Sequence, residues 1–414
     1  MVDGRLRAAL RAVACGAAAL LVACGGDGRN AERRADSGST DANRVGLEAN
    51  QADSGSGGVD AAHSPDERSV HYRTEVMGTW GTVTIVTADS VASAEVAATA
   101  LETWHHVDRL LSNWKETSEL SRVNREAAVD TVETDRELSF VLGRALQIAE
   151  ASGGAFDVTV EPLVRLWGFL GGTPHVPSAD DIEKTRRGIG WQNVWLDAPG
   201  HRVAYALPGL KVDLGGIAKG YGVDLAYGAL REAGVSGMAD LSGNIRTLGT
   251  PPGRDAWVVG IRDPRDRLPF FAKLRLGEAA MATSGQYEQF VTQDGREFGH
   301  ILDPRTGWPA EGLLSVTVLA PTATEADAWA TALFVLGPAR AREVAKQNPD
   351  LAVVLVEDAR HAAAHEGGAD GATDGKPGGV GSSDGLRDVV WVEADVASRF
   401  ELIPTATFLE VRPF

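Results

Sequence analysis

Apolar positions along this chain recur with two different periods. Over 80–88, WGTVTIVTA, Val83 and Ile85 alternate with polar neighbours, which predicts a strand. Over 90–114 the spacing lengthens to that of a helix, with Val96, Ala100, Trp104, Val107 and Leu111 on one face. A clearer helix follows in TDRELSFVLGRALQIAEASGG: Leu138, Val141, Leu142, Ala145 and Ile148 form the buried stripe. Thr134 with Glu137 reads as its capping box, and Gly153 as its stop. GYGVDLAYGALREAG predicts another helix, ending at Gly234. SVTVLAP (315–321) predicts a strand that feeds a helix over 324–337, TEADAWATALFVLG. LAVVLVE (351–357) and VVWVEA (389–394) predict a hairpin that closes the sheet. Strands and helices mix without strict alternation, so the expected fold class is α+β, a mixed sheet with flanking helices.

The helix over 324–337 carries an anomaly. Asp327 lies among Ala326, Ala328, Ala330, Ala332, Leu333 and Phe334, and Thr331 follows one turn on. One explanation is a helix start, in which Thr324 caps with Asp327 three residues later. The other is a hard metal ion held by two oxygen ligands at i and i+4, which point the same way.

The ends of the chain bear on location. Arg5, Arg7 and Arg11 precede an apolar run from Ala12 to Ala23, too short for a finished membrane span and flanked like a signal peptide. The run ends in Leu21-Val22-Ala23-Cys24, which resembles a bacterial lipobox whose Cys24 takes the lipid. The expectation is an exported protein, lipid-anchored to a bacterial membrane and facing the periplasm or cell exterior. Cys15 and Cys24 are the only cysteines, so a mature domain would contain no disulfide and no thiolate metal site. His105-His106 lacks a zinc spacing and reads as a solvated helix face. The expected organisation is a signal peptide over 1–23, a lipidated Cys and tether over 24–68, and one domain over 69–414. A Gly/Ser/Asp-rich insertion interrupts that domain at about 358–388. A net charge of −17 argues against a nucleic-acid partner. An anionic ligand would need local help from a lysine, a helix N-terminus or a metal cation.

Phosphate-loop, dinucleotide-fold, zinc-protease and serine-hydrolase signatures are absent. Four polar-glycine clusters stand in their place. GGAFDVTVEPLVRLWGF (153–169) sets Asp157 and Glu161 on a loop beside Phe156 and Trp167. VDLGGIAKGYGVD (212–224) reads as a strand end, a glycine turn and a helix start, with Asp213 before the turn and Lys219 after it. MATSGQYEQF (281–290) and GHILDPRTGWP (299–309) are turn-rich, the latter gathering His300, Asp303 and Arg305. Together they supply phosphate donors, a cation, carboxylates and an aromatic wall.

This array resembles the ApbE family of FAD:protein FMN transferases. In order, the matching blocks are MGT (77–79), LSNWKETSELSRVN (111–124), GAFDVTVEPLVRLWGF, VDLGGIAKGYGVD, ATSGQYE, HILDPRTGWP and SVTVLAPTATEADAWATALFVLG. The resemblance implies a T-fold-like domain, FAD as donor substrate and magnesium as cofactor. It further implies phosphoester transfer of FMN to a Thr or Ser hydroxyl of a target protein, with AMP leaving; a subunit of a membrane redox complex is one such target. Met77, Trp114, Ala155, Phe156, Asp157, Asp213, Lys219 and Ile301 match family positions that contact FAD. Asp327 and Thr331 match magnesium ligands, as does Gly216 through its backbone carbonyl. Two departures stand out. Ala330 replaces a second acid of some members, and Ser242 and Asn244 in LSGNIRTLG (241–249) occupy a pattern that is usually Gly-Gly-Asp.

A metal held by so few protein ligands keeps positions open for phosphate. Trp114 and Phe156 are candidates to stack on a flavin. His300 is the candidate proton-handling group, because its unperturbed pKa lies nearest the working pH and it precedes Ile301. The alternative is that His300 only shapes its turn. Two other activities use the same residues: a metal-dependent FAD pyrophosphatase giving FMN and AMP, and a non-catalytic flavin-binding lipoprotein.

Overall fold

The computed structural model describes residues 64, 66–361, 387–407 and 409–414. The expected signal peptide, Cys24, nearly all of the expected tether, and residues 362–386 of the expected insertion lie outside the described residues. Both edges of that insertion belong to the folded body. Asp358 N–H donates to the Gly312 carbonyl (3.0 Å), and Asp388 accepts from Ala359 N–H (3.0 Å).

Nine strands form the main sheet: β1 (Arg68–Val76), β2 (Thr79–Thr87), β3 (Gly237–Leu241), β4 (Asn244–Leu248), β5 (Ala280–Gly285), β6 (Leu313–Ala320), β7 (Ala352–Glu357), β8 (Asp388–Val392) and β9 (Leu409–Pro413). They lie side by side in chain order. Neighbours run antiparallel except β8 and β9, which are parallel. The mixed sheet and the expected hairpin of 351–357 with 389–394 are therefore present.

Among the described residues the α-helices are α1 (Ser90–Leu111), α2 (Glu119–Glu126), α3 (Arg136–Ala151), α4 (Glu161–Leu166), α5 (Ala179–Arg186), α6 (Gly215–Glu232), α7 (Ala323–Gln347) and the four-residue α8 (Ala394–Ala397). One sheet face packs against α1, α6 and α7. The other is covered by a small sheet of Trp257–Ile261, Ala272–Leu276 and Phe400–Leu402. β7 shows why its sequence reads as an unbroken apolar run. Val353 and Leu355 enter the helix-side core while Val354 and Val356 enter the opposite one. Each such side chain contributes on the order of 1.5–3 kcal/mol by burial.

Local chemistry differs from expectation at several ends. α3 is capped by Asp135, whose carboxylate accepts from Glu137 N–H (2.7 Å), and not by Thr134. α7 is capped by Thr322, which accepts from Glu325 N–H and donates to its carboxylate, both at 3.2 Å. Thr324 and Asp327 thus lie inside the helix, and the helix-start explanation of Asp327 fails. The expected end at Gly337 is a kink, with φ 74° followed by Pro338, after which the helix resumes. Residues 281–285, expected as turn, belong to β5 because β-branched and small residues let a central strand pack on both faces. Glu161, expected on a loop, starts α4 and pairs with Arg165. His105 and His106 are bonded to Thr74 (2.9 Å) and Glu137 (3.1 Å) and are not merely solvated.

Candidate active site

A cleft of about 310 Å³ opens where the start of α6, the middle of α7 and the ends of β4 and β5 meet the loops at 153–160 and 285–304. Most of the sequence-derived candidates line it: Trp114, Ala155, Phe156, Asp157, Asp213, Gly216, Lys219, His300, Ile301, Asp327 and Thr331. Met77 does not. It occupies a two-residue hairpin turn between β1 and β2 with φ 53°, and its side chain packs on the core.

Glycine lets the two site helices touch. A Cβ at Gly220 would stand 2.1 Å from the Ala323 carbonyl oxygen and 2.8 Å from Asp327 Cβ, so α6 and α7 cross with backbones almost in contact. This approach lets Gly220 N–H donate to Asp327 Oδ2 (2.9 Å). In a helix that donor ordinarily serves the carbonyl four residues back, here Gly216, so the claim on the Gly216 oxygen is loosened. A Cβ at Gly216 would stand 3.4 Å from Thr331 Oγ1. Thr331 Oγ1 also lies 3.3 Å from Ser284 Oγ. Contrary to the expected strand–turn–helix, no strand precedes α6. Its first N–H, on Gly215, is held by Asp213 Oδ1 at 2.7 Å.

The electrostatics are unbalanced. Burial pushes the Asp327 carboxyl above its ordinary pKa, against the pull of Lys219 and of Gly220 N–H. Burial also opposes the charge on Lys219, but Asp327, Glu288 and Asp213 outweigh it and its pKa rises. The two shifts differ in kind because Lys219 faces three acids, whereas Asp327 faces one cation and further acids. Among the lining residues, Asp157, Asp213, Glu288 and Asp327 set four carboxylates against one lysine. Asp157 is already spent on its loop, accepting from Thr159 N–H (2.8 Å), Thr159 Oγ–H (2.7 Å) and Trp191 N–H (2.9 Å).

His300 Nδ1 lies 3.2 Å from the Gln289 carbonyl. A carbonyl only accepts, so Nδ1 carries the proton and Nε2 keeps its lone pair. Burial holds the His300 pKa below its ordinary value despite Glu288. Asp303 and Arg305 do not join the cleft. They pair with each other (2.8 Å), and Arg305 also reaches the Val335 carbonyl (3.3 Å), pinning their loop to α7. Phe156, Val160, Val164, Phe169 and Leu302 supply the apolar part of the lining, which also includes Trp114, 65% exposed. Sequence reasoning missed Thr283, Ser284, Glu288 and Gln289 as lining residues. All four lie inside the quoted motif MATSGQYEQF, but nothing in its spacing shows which side chains turn inward.

Among the described residues no group of three His, Cys, Asp or Glu is placed so as to hold a metal ion. A cation here would rest on Asp327, the Thr331 hydroxyl and the Gly216 carbonyl. All are hard oxygens, the donor class that suits magnesium.

Residues 77–355 match the model of the ApbE family. The chain is 35% identical over 277 residues to the FAD:protein FMN transferase of Haemophilus influenzae, covering 63% of this chain and 80% of that one. To the enzyme of the same name from Escherichia coli it is 33% identical over 289 residues, covering 68% and 82%. The fold is similar to the crystal structure of the ApbE protein from Thermotoga maritima, with a TM-score of 0.65 and 36% identity over 70% of this chain and 94% of that one. The flavin transferase ApbE from Vibrio cholerae gives 0.64 and 31% over the same shares.

Proposed function

The chain belongs to the ApbE family, and from that premise we propose that it transfers FMN from FAD to a Thr or Ser hydroxyl of a target protein. The observation that carries the reading is one cleft lined both by apolar and aromatic side chains, Phe156 and Trp114 among them, and by Lys219, Asp327 and Thr331. A flavin suits the first and a diphosphate the second. FAD is long for 310 Å³, so it would extend along the apolar lining to the exposed Trp114.

In the proposed step the target hydroxyl oxygen bonds to the phosphorus of the FMN half. The bond from that phosphorus to the bridging oxygen breaks, and AMP leaves with the bridging oxygen. The hydroxyl proton passes to His300 Nε2, which is free because Nδ1–H is held by Gln289. Lys219 offsets phosphate charge, and the apolar lining excludes water that would otherwise compete as acceptor.

Magnesium is part of the proposal, with Asp327, Thr331 and the Gly216 carbonyl as its protein ligands. When bound, it supplies charge neutralisation to the diphosphate. Four carboxylates against one lysine repel an anionic ligand unless a divalent cation compensates. Flavin-fluorescence titration tests this without turnover: FAD is expected to bind with magnesium and at least tenfold more weakly in chelator. Equal affinity in both would remove the metal from the account.

We further propose export and anchoring through Cys24. Among the described residues no helix is long and apolar enough to cross a membrane. Cys24→Ser is expected to move the protein from the membrane fraction to the soluble one with transfer unchanged. Persistence in the membrane fraction would end this assignment.

A further inference from the structure

A buried polar atom without a partner calls for an explanation. Among the described residues, only one such side-chain atom belongs to the cleft wall, Asn244 Oδ1. Asn244 is 4% exposed and opens β4, opposite Leu241 across a two-residue hairpin. Its Nδ2 donates to the Leu241 carbonyl at 3.3 Å. Since a carbonyl only accepts, this bond fixes the amide's orientation and leaves Oδ1 as the open end.

The hairpin that presents Asn244 is held at a conformational cost. Ser242 adopts φ 56°, an unfavourable region for a residue with a Cβ, and it too lines the cleft. Asp240 braces the turn by accepting from Gly243 N–H at 2.9 Å. The β4–β5 register, with Met281 opposite Ile245, brings Asn244 alongside Ala282, two residues before Ser284. Ser284 in turn meets Thr331. Asn244 therefore lies in the cleft lining beside Ser284, with Oδ1 buried and unpartnered. An acid at this position would add a fifth carboxylate to the four already there, whereas asparagine offers an acceptor without charge.

We infer that Asn244 is a specificity-determining residue whose Oδ1 accepts a hydrogen bond from an O–H or N–H donor of the bound nucleotide. This rests on the FAD reading above. A site built to hydrogen-bond its ligand discriminates strongly, because the wrong ligand leaves the buried acceptor unmet. In the free protein the same unmet acceptor is a burden. Function and stability thus pull in opposite directions at this residue, which a purely structural asparagine would not show.

The test uses Asn244→Leu, close in volume but without the acceptor, and Asn244→Ala in case leucine is not accommodated. FAD affinity is read by flavin-fluorescence titration with magnesium, and melting of the free protein is read alongside. Expected for Asn244→Leu is a loss in FAD affinity of roughly 5- to 50-fold, with melting unchanged or raised. Repeating the titration with FMN, and with AMP as a competitor of FAD, locates the donor: loss with FMN alone assigns it to the flavin half, loss with AMP alone to the adenosine half. Affinity within twofold of wild type for all three ligands overturns the inference. So does a loss matched by an equivalent fall in melting of the free protein in both variants. A wild-type protein that does not bind FAD at all would sink the flavin-transferase reading itself, an outcome separable from failure at Asn244.

Discussion

Replacing Gly220 by Ala tests whether the site depends on two helix backbones in near contact. The built Cβ stands 2.1 Å from the Ala323 carbonyl oxygen. An ordinary carbon–oxygen contact needs about 3.3 Å, so α7 must retreat from α6 by on the order of 1 Å. The Gly220 N–H to Asp327 bond, now 2.9 Å, would then stretch to roughly 4 Å and be lost. Losing a hydrogen bond to a charged group costs about 1.5–3 kcal/mol, and the overpacking adds about 1–3 kcal/mol. Alanine's better helix propensity returns about 0.5–1 kcal/mol. The net expectation is destabilisation by about 2–5 kcal/mol, a fall in Tm of roughly 4–15 °C for a domain of this size. FAD affinity should fall with it, because Asp327 moves. Gly228→Ala is the internal control. It lies on the same helix with nothing within 4 Å of its built Cβ, so it should gain about 0.5–1 kcal/mol. Calorimetric melts giving the two variants equal Tm, whichever direction both moved, would show that the α6–α7 contact at Gly220 does not govern stability.

Two further outcomes follow from the titrating groups. Burial raises the Asp240 carboxyl to about 6, so the folded state holds this proton more tightly than the unfolded one. Its stabilising contribution is present below about pH 4 and is lost as pH rises through 6, an effect of at most about 3 kcal/mol. Asp240→Asn, which keeps an acceptor for Gly243 N–H, should therefore raise Tm at pH 8 and change it little at pH 4; equal shifts at both would contradict the assignment. His300→Asn should lower turnover on the order of 10²–10⁴-fold with FAD affinity near wild type. Because burial depresses the His300 pKa, the wild-type rate should hold down to pH values below the ordinary histidine range, and the variant's deficit should narrow as pH rises. A loss explained wholly by weaker FAD binding would leave His300 as a residue that shapes its turn.

Much of this architecture can be read from periodicity, and its limits are physical. β2, α1, α3, α7 and the β7–β8 pair announce themselves because one stripe or both faces are apolar. β4 and β5 do not. Their site-facing residues, Asn244 and Ser284, are polar because they floor a cleft, so alternation weakens where function replaces packing. Asp327 illustrates the converse. Its place in an apolar run marked it as anomalous, but only the Gly220 contact explains how a carboxylate is held there. The capping residues were misread by one position at Asp135 and two at Thr322, since several adjacent Thr, Asp and Glu offer competing caps. Met77 lies where the family resemblance implies a flavin contact, and the geometry gives a hairpin turn. Ala330, where the family resemblance implies a second acid in some members, is packed in the apolar core, leaving Asp327 as the only acid among the proposed metal ligands.

The central claim is transfer, not hydrolysis or storage. The direct measurement is intact-mass analysis of an unflavinylated target protein after incubation with this protein, FAD and magnesium, with AMP quantified in parallel. The account predicts a target heavier by FMN less one water, one AMP released per flavin attached, and no reaction when magnesium is chelated. Free FMN and AMP with an unmodified target would contradict it in favour of a pyrophosphatase, and intact FAD with an unmodified target in favour of a flavin-binding protein without catalysis.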